Sequence, residues 1–348
     1  MDKLPEEIII YILSDLLDTI DVINFSITCK YYNKIVKENR NDMRCMCYTD
    51  INFINYDIIG KVNVKIYDRD IIKINELDDI KYVKYVNYLN LNNTNVKNLN
   101  LNSIKSYKKI NLSTCKNIKD VSILNECKEL DLSYCCKIRD ISMLGNVKKI
   151  NLSGCINIKD VSMLKNCEEL DLSYCGKIKD VSTLGKVKKL NLTNCINISD
   201  VSMLGSCEEL NLTYCINIKD FTMLGNVKNL NLSFCNIYIL PNPCNCVYLN
   251  LTNCYNLSDV SMLGNVEDLD LSWCYNITDV SNLGKVKKLN LGFCQGLTDV
   301  SMLGNVEELQ LYHCDSVTDI SNLVNVKKLD LGLWFKRYIP DKKWYQEL

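Results

Sequence analysis

Apolar residues return at fixed intervals along most of this chain. Leu112, Leu132, Leu152, Leu172, Leu192, Leu212 and Leu232 stand 20 residues apart, Leu251 follows after 19, and Leu271, Leu291, Leu311 and Leu331 resume the spacing of 20. Self-similarity at such a period marks a solenoid, whose coils cannot bury their apolar faces alone and must stack. Residues 170–189 show the grammar. Leu170, Leu172, Cys175, Ile178, Val181, Leu184 and Val187 are apolar, and nearly everything between them is polar or Gly. Leu170 and Leu172 alternate with Asp171 and Ser173, the period of a strand. From Leu172 onward the apolar spacing is three, which predicts short 3₁₀ or polyproline-like turns rather than an α-helix. Asp180, with an Asp at the same place in the other regular coils, is expected to accept a backbone N–H at the start of that turn. Gly185 and its equivalents are expected to end the turn at positive φ. Residues 235–249 (CNIYILPNPCNCVYL) lack both the Asp and the Gly and hold two prolines, which predicts a local distortion.

The charged pair entering each strand alternates in sign. It reads Lys128-Glu129, Lys148-Lys149, Glu168-Glu169, Lys188-Lys189, Glu208-Glu209, Lys228-Asn229 and, further on, Glu267-Asp268, Lys287-Lys288, Glu307-Glu308, Lys327-Lys328. Strands in a sheet lie about 4.8 Å apart, so alternation makes neighbouring coils attract where identity would make them repel. Each exposed pair contributes on the order of 0–1 kcal/mol. The larger effect is on register, because a slip by one coil sets like against like.

Before the repeats stands LPEEIIIYILSDLLDTIDVINFSITCKYYNKIV, residues 4–36. Pro5 with Glu6 and Glu7 suits a first helical turn. Leu4, Ile8, Ile12 and Leu16 mark one helical face, and Val22, Phe25, Cys29, Tyr32 and Val36 a second. About forty residues barely bury a core, so this bundle of short helices needs the solenoid or a partner.

Composition narrows the function classes. The 348 residues carry 41 basic and 42 acidic side chains, net −1, which argues against a dedicated nucleic-acid surface. No run of about 18 apolar residues predicts a membrane span. MDKLPEEIII does not read as a secretory signal, so an intracellular chain is expected, cytoplasmic or nuclear. Alanine is absent, and Asn, Ile, Lys and Tyr abound. Of the 20 cysteines, Cys115, Cys135, Cys155, Cys175, Cys195, Cys215, Cys235, Cys254, Cys274, Cys294 and Cys314 form one ladder, expected to be buried thiols whose S–H meets a loop carbonyl. Stacked Cβ atoms one strand spacing apart with parallel vectors do not suit disulfides. Cys45, Cys47, Cys244 and Cys246 make C-x-C pairs rather than the C-x₂₋₄-C spacing of zinc sites. No metal or cofactor is expected. The single histidine, His313, sits in a repeat position beside Cys314, and no catalytic set is assembled around it.

The pattern LxLSxCxxIxDVSxLGxV resembles the leucine-rich repeat, from Leu89 to Leu331. The resemblance implies an α/β repeat solenoid, a short-period horseshoe with parallel strands on its concave face. Residues 1–45 resemble the F-box: Leu4, Pro5 and Glu7 match its Leu-Pro-x-Glu opening, Ile12-Leu13 and Leu16 its apolar step, and Asp21, Val22, Phe25, Ser26, Cys29 and Lys30 its later stretch, with Tyr32 where the family usually has Trp. An F-box before leucine-rich repeats implies a non-catalytic substrate receptor. Its F-box docks a Skp-family adaptor, and through it a cullin, while the repeats hold a protein substrate. Leu4, Pro5, Ile8, Ile12 and Leu16 are the candidate adaptor contacts, with the bundle's own core as the competing role for each. The composition also resembles F-box repeat proteins of large amoeba-infecting DNA viruses. The alternative function is an interaction scaffold or decoy without ubiquitin transfer.

Residues 46–88 are expected to form a linker and N-terminal cap with degenerate coils, and residues 332–348 a C-terminal cap using Trp334, Phe335, Tyr338 and Trp344. The residue before each repeat Cys is the varied position: Tyr134, Tyr174, Tyr214, Phe234, Trp273, Phe293 and His313 are the candidate substrate contacts. Packing on one another across coils, to stiffen the edge, is their competing role.

Overall fold

The computed structural model describes residues 108–332 apart from Pro243, together with the backbone of three short strands before them. The adaptor candidates Leu4, Pro5, Ile8, Ile12 and Leu16 and the tail aromatics lie outside the described residues. The chain divides into two compact units, residues 1–157 and 158–348.

In the first unit, β1 (Met46–Cys47), β2 (Asn63–Lys65), β3 (Tyr88–Asn90), β4 (Lys109–Asn111), β5 (Glu129–Asp131) and β6 (Lys149–Asn151) pair in sequence order, all parallel. In the second unit the same holds for β7 (Glu169–Asp171), β8 (Lys189–Asn191), β9 (Glu209–Asn211), β10 (Asn229–Asn231), β11 (Tyr248–Asn250), β12 (Asp268–Asp270), β13 (Lys288–Asn290), β14 (Glu308–Gln310) and β15 (Lys328–Asp330). Register is one coil to the next without slip: Leu190 lies opposite Leu210, and Lys189 opposite Glu209. The ion pairs that alternation predicts form in both units, as Lys109–Glu129 at 2.8 Å, Lys189–Glu209 at 2.7 Å and Lys287–Glu267 at 2.7 Å.

From β4 to β14 each strand is three residues long with its middle residue buried, and the chain returns through 3₁₀ turns such as Ser182–Leu184 and Ser202–Leu204. An α-helix would spread the apolar residues over 3.6 positions per turn. The spacing of three keeps Ile178, Val181, Leu184 and Val187 all inward and almost wholly buried. The Asp of each coil accepts the N–H of the residue two further on, from Asp120 to Ser122 at 2.9 Å through Asp319 to Ser321 at 2.8 Å. These bonds hold the carboxyl groups of Asp180, Asp200 and Asp279 below their ordinary range. The Cys ladder is buried, with every described cysteine a free thiol. Nine ladder thiols, Cys135, Cys155 and those from Cys195 to Cys314, donate to a carbonyl of the preceding coil, as Cys195 to Leu172 and Cys215 to Leu192, both at 3.1 Å. Between β10 and β11 no 3₁₀ turn forms among the described residues, which is the distortion expected of residues 235–249.

The glycine row departs from expectation. Gly185, Gly205, Gly264, Gly284 and Gly304 have φ between −61° and −63°, ordinary right-handed values. Their role is clearance. A Cβ at Gly205 would lie 2.2 Å from the carbonyl oxygen of Met223 in the next coil, and the other four meet the equivalent oxygen at 2.3–2.4 Å. Where Lys165 stands in this row, the 3₁₀ turn runs on to Asn166. Gly205→Ala is therefore expected to lower stability by about 1–3 kcal/mol in urea unfolding. Gly176→Ala, where nothing lies within 4 Å, is expected to leave the midpoint in place; equal effects at the two sites would refute the clearance argument.

Candidate functional site

The candidate site is built at the turn that follows each strand. From β4 on, the third strand residue is Asn or Asp except for Gln310 in β14, and the Asn or Asp side-chain oxygen accepts the N–H two residues on, as Asn231 from Ser233 at 3.0 Å, Asn250 from Thr252 at 2.8 Å and Asp270 from Ser272 at 2.9 Å. Between some coils the same side chains join one another, as Asn290 Nδ2 donates to Asp270 Oδ2 at 3.0 Å. The monotonous Asn and Asp of the strands thus serve the turn. The residue directly after that N–H donor gives its own N–H to the following coil, as Phe234 to the Thr252 carbonyl and Trp273 to that of Gly292, both at 2.9 Å.

These two constraints place that residue in the left-handed region. Tyr134, Tyr174, Tyr214, Phe234, Trp273, Phe293 and His313 have φ between 58° and 64°, and Thr114, Asn194 and Asn253 share it. Gly and Asn adopt this conformation readily; other L-residues lose roughly 1–2 kcal/mol each. Gly154, at the same repeat position, has φ of 70°. Rings therefore occupy a place where smaller residues would be more stable, and backbone strain retained in that way clusters at functional sites.

The rings are accessible. Tyr134 is 51 % exposed, Tyr174 50 %, Tyr214 44 % and Trp273 38 %, and Phe234, Phe293 and His313 are half-buried. Where consecutive coils carry rings, they stack: Tyr214 on Phe234 at 4.3 Å, Trp273 on Phe293 at 3.8 Å, and Phe293 on His313 at 4.4 Å. Tyr214, Phe234, Trp273, Phe293 and His313 thus pack on neighbours across coils and keep part of each ring exposed. The geometry also recruits rings that the repeat pattern does not single out. Tyr312 stands edge-on to Phe293 at 5.5 Å, and its ring lies over Gly292, where a Cβ would come within 2.2 Å of it. The signal in the sequence is that Gly292 replaces the Ser or Thr found there in most coils. Tyr275 stands edge-on to Trp273 at 6.2 Å.

Such a surface offers flat apolar faces, ring edges and carboxamides. Among the described residues no group of three or more His, Cys, Asp or Glu side chains is placed to hold a metal ion. Cys244 and Cys246 lie buried side by side, the Cys244 thiol donating to Cys246 Sγ at 3.5 Å. Among the described residues no helix is long and apolar enough to cross a membrane.

Comparison with known proteins adds two findings. Residues 1–45 match the sequence model of the F-box-like family. No curated protein matches the chain. Among solved structures, an internalin (InlF) of Listeria monocytogenes superposes with a TM-score of 0.58 at 20% identity, covering 73% of this chain and 83% of that one. The functional domain of InlJ from the same bacterium, described as including a cysteine ladder, is 15% identical with a TM-score of 0.47, covering 78% and 67%. A leucine-rich-repeat protein of Leptospira interrogans is 19% identical with a TM-score of 0.45, covering 72% and 79%. The repeats have the leucine-rich-repeat fold, and an F-box-like segment precedes them.

Proposed function

We propose that this chain is the substrate-recognition subunit of a Skp/cullin/F-box ubiquitin ligase. Residues 1–45 dock a Skp-family adaptor and, through it, a cullin, with Leu4, Pro5, Ile8, Ile12 and Leu16 in contact. The rings at Tyr134, Tyr174, Tyr214, Phe234, Trp273, Phe293 and His313 hold a protein substrate. The observation that carries this reading is the pairing, in one chain, of an F-box-like segment with a row of rings kept at positive φ. Such a protein performs no bond chemistry. It raises the effective concentration of substrate lysines beside an activated ubiquitin, the proximity part of catalysis. The composition, without Ala and rich in Asn, Ile, Lys and Tyr, supports placing the chain in a large amoeba-infecting DNA virus, where it redirects a host ligase.

The test is capture of a purified Skp-family adaptor by the full-length chain. The intact chain is expected to retain the adaptor, and Leu4→Asp to lose it by about tenfold or more, since a charge at a buried contact is left unpaired. Pro5→Ala is expected to weaken capture less, because only the preset first turn is lost. An intact chain that retains no adaptor would replace the ligase reading with that of a scaffold or decoy.

A further inference from the structure

In the second unit the row of rings is interrupted. It runs Tyr214, Phe234, then Asn253, then Trp273, Phe293 and His313, all at the same left-handed backbone position. Neighbouring rings stand 3.8–4.4 Å apart, so each coil supplies one rung about one ring thick. At Asn253 a short, half-buried carboxamide replaces the ring. Phe234 and Trp273 therefore border a space one rung deep with Asn253 at its base. Its rim is polar and aromatic: Tyr255, 50 % exposed, is hydrogen-bonded through its hydroxyl to Asn236 Oδ1 at 2.9 Å, and Tyr275 stands edge-on to Trp273.

Charge along the coils that carry this rung and those after it is one-sided. Residues 158–228 hold nine basic and nine acidic side chains, but residues 229–332 hold eleven carboxylates and five lysines, net −6. Those lysines, at 285, 287, 288, 327 and 328, all precede or open a strand. Four of them are engaged with Glu267, Glu307 and Glu308. Neither Lys nor Arg occurs from Asn229 to Gly284, and Asp259, Asp268, Asp270 and Asp279 lie in that stretch.

Resting on the reading of the ring row as the recognition face, we propose that the vacant rung at Asn253 receives an arginine of a basic segment of the protein substrate, its guanidinium held between Phe234 and Trp273. A guanidinium is flat, has the thickness of a ring and stacks on aromatic faces. It only donates hydrogen bonds, which suits the carboxamide oxygens of Asn253 and Asn236. An ammonium lacks the plane, an uncharged ring makes no use of the surrounding carboxylates, and an anion is repelled by them. The row is also interrupted at Asn194, between Tyr174 and Tyr214. Lys177, Lys179 and Lys219 belong to the coils there, so that gap does not select a cation.

The experiment titrates the full-length chain, at fixed low salt, with a short fluorescent Gly–Ser peptide bearing one Arg between two Lys. Two control peptides replace the Arg with citrulline, flat but neutral, or with Lys, charged but not flat. Arg is expected to bind about tenfold more tightly than either control, and Phe234→Leu or Trp273→Leu to remove about that factor. Asn253→Phe fills the rung and is expected to abolish binding in a chain that still unfolds cooperatively, whereas Asn194→Phe leaves binding unchanged. Three peptides that bind alike, an Arg peptide that does not bind, or an Asn253→Phe chain that binds normally would each overturn the proposal. None of these arms involves residues 1–45. Loss of the arginine preference with adaptor capture intact removes this slot alone, and failed capture with the preference intact removes the ligase reading alone.

Discussion

The repeats are expected to lose stability as pH rises above about 9, the ordinary value for these thiols. Burial pushes the thiols of Cys127, Cys195, Cys215, Cys235 and Cys254 up from 9.0 to about 12. It raises those of Cys207 and Cys314 to about 11. A group whose folded pKa is raised favours the folded state below its unfolded pKa and loses that contribution as pH climbs toward the folded value. The window is therefore about pH 9 to 12. One unit above the unfolded pKa each such thiol costs on the order of 1 kcal/mol, so several together are appreciable against the roughly 5–15 kcal/mol of an ordinary domain. The measurement is the urea midpoint against pH at constant ionic strength, followed by circular dichroism. It is expected to be flat to about pH 8 and to fall steeply above 9. Replacing Cys195 and Cys215 together with Ala is expected to make that fall visibly shallower. A midpoint that stays level to pH 11, or a slope indifferent to these replacements, would show that the ladder thiols ionise without leaving the core.

That prediction depends on a feature plain in the sequence, because a solenoid writes its core as a period. Leu, Cys and Asp each recur every 20 residues, so strand, thiol ladder and capped turn are legible one coil at a time. The alternating Glu and Lys pairs are legible for the same reason, since vertical neighbours in the stack are known once the period is. What lies between coils is harder to read. The glycine row looks like a set of left-handed turn endings, and only the Met223 carbonyl over Gly205 shows that the constraint is steric. Nothing in Tyr214 or Trp273 announces a positive φ; the clue is that Gly154, Asn194 and Asn253, residue types at ease there, share their repeat position. The vacant rung is a property of three coils taken together, and reading each coil against a consensus treats Asn253 as one more variant. The adaptor contacts at Leu4, Pro5, Ile8, Ile12 and Leu16 rest on the F-box-like match, since the described residues begin beyond them.

Replacing Phe221 with Ala is expected to cost about 3–5 kcal/mol. Phe221 is 1% exposed and is the largest of the fully buried side chains. Its counterparts are all β-branched and small: Ile141, Val161, Val181, Val201, Val260, Val280, Val300 and Ile320. Consensus reasoning would make Phe221→Val a repair. The stack argues the opposite. The coil that follows is one residue short and forms no 3₁₀ turn among its described residues, with Leu240 buried in its return segment. A return segment without the regular turn is expected to leave space beside its neighbour, and the larger ring at Phe221 is expected to fill it. Phe221→Val is thus expected to destabilise by roughly 1–2 kcal/mol through the cavity it leaves, and Val201→Phe, beside a coil of full length, by about 1–3 kcal/mol through overpacking. Since each coil touches only its neighbours, hydrogen exchange in Phe221→Ala should rise first in the coils on either side of it. A Phe221→Val chain as stable as the parent would mean that the short coil closes its own gap, and that the ring is accommodated rather than required.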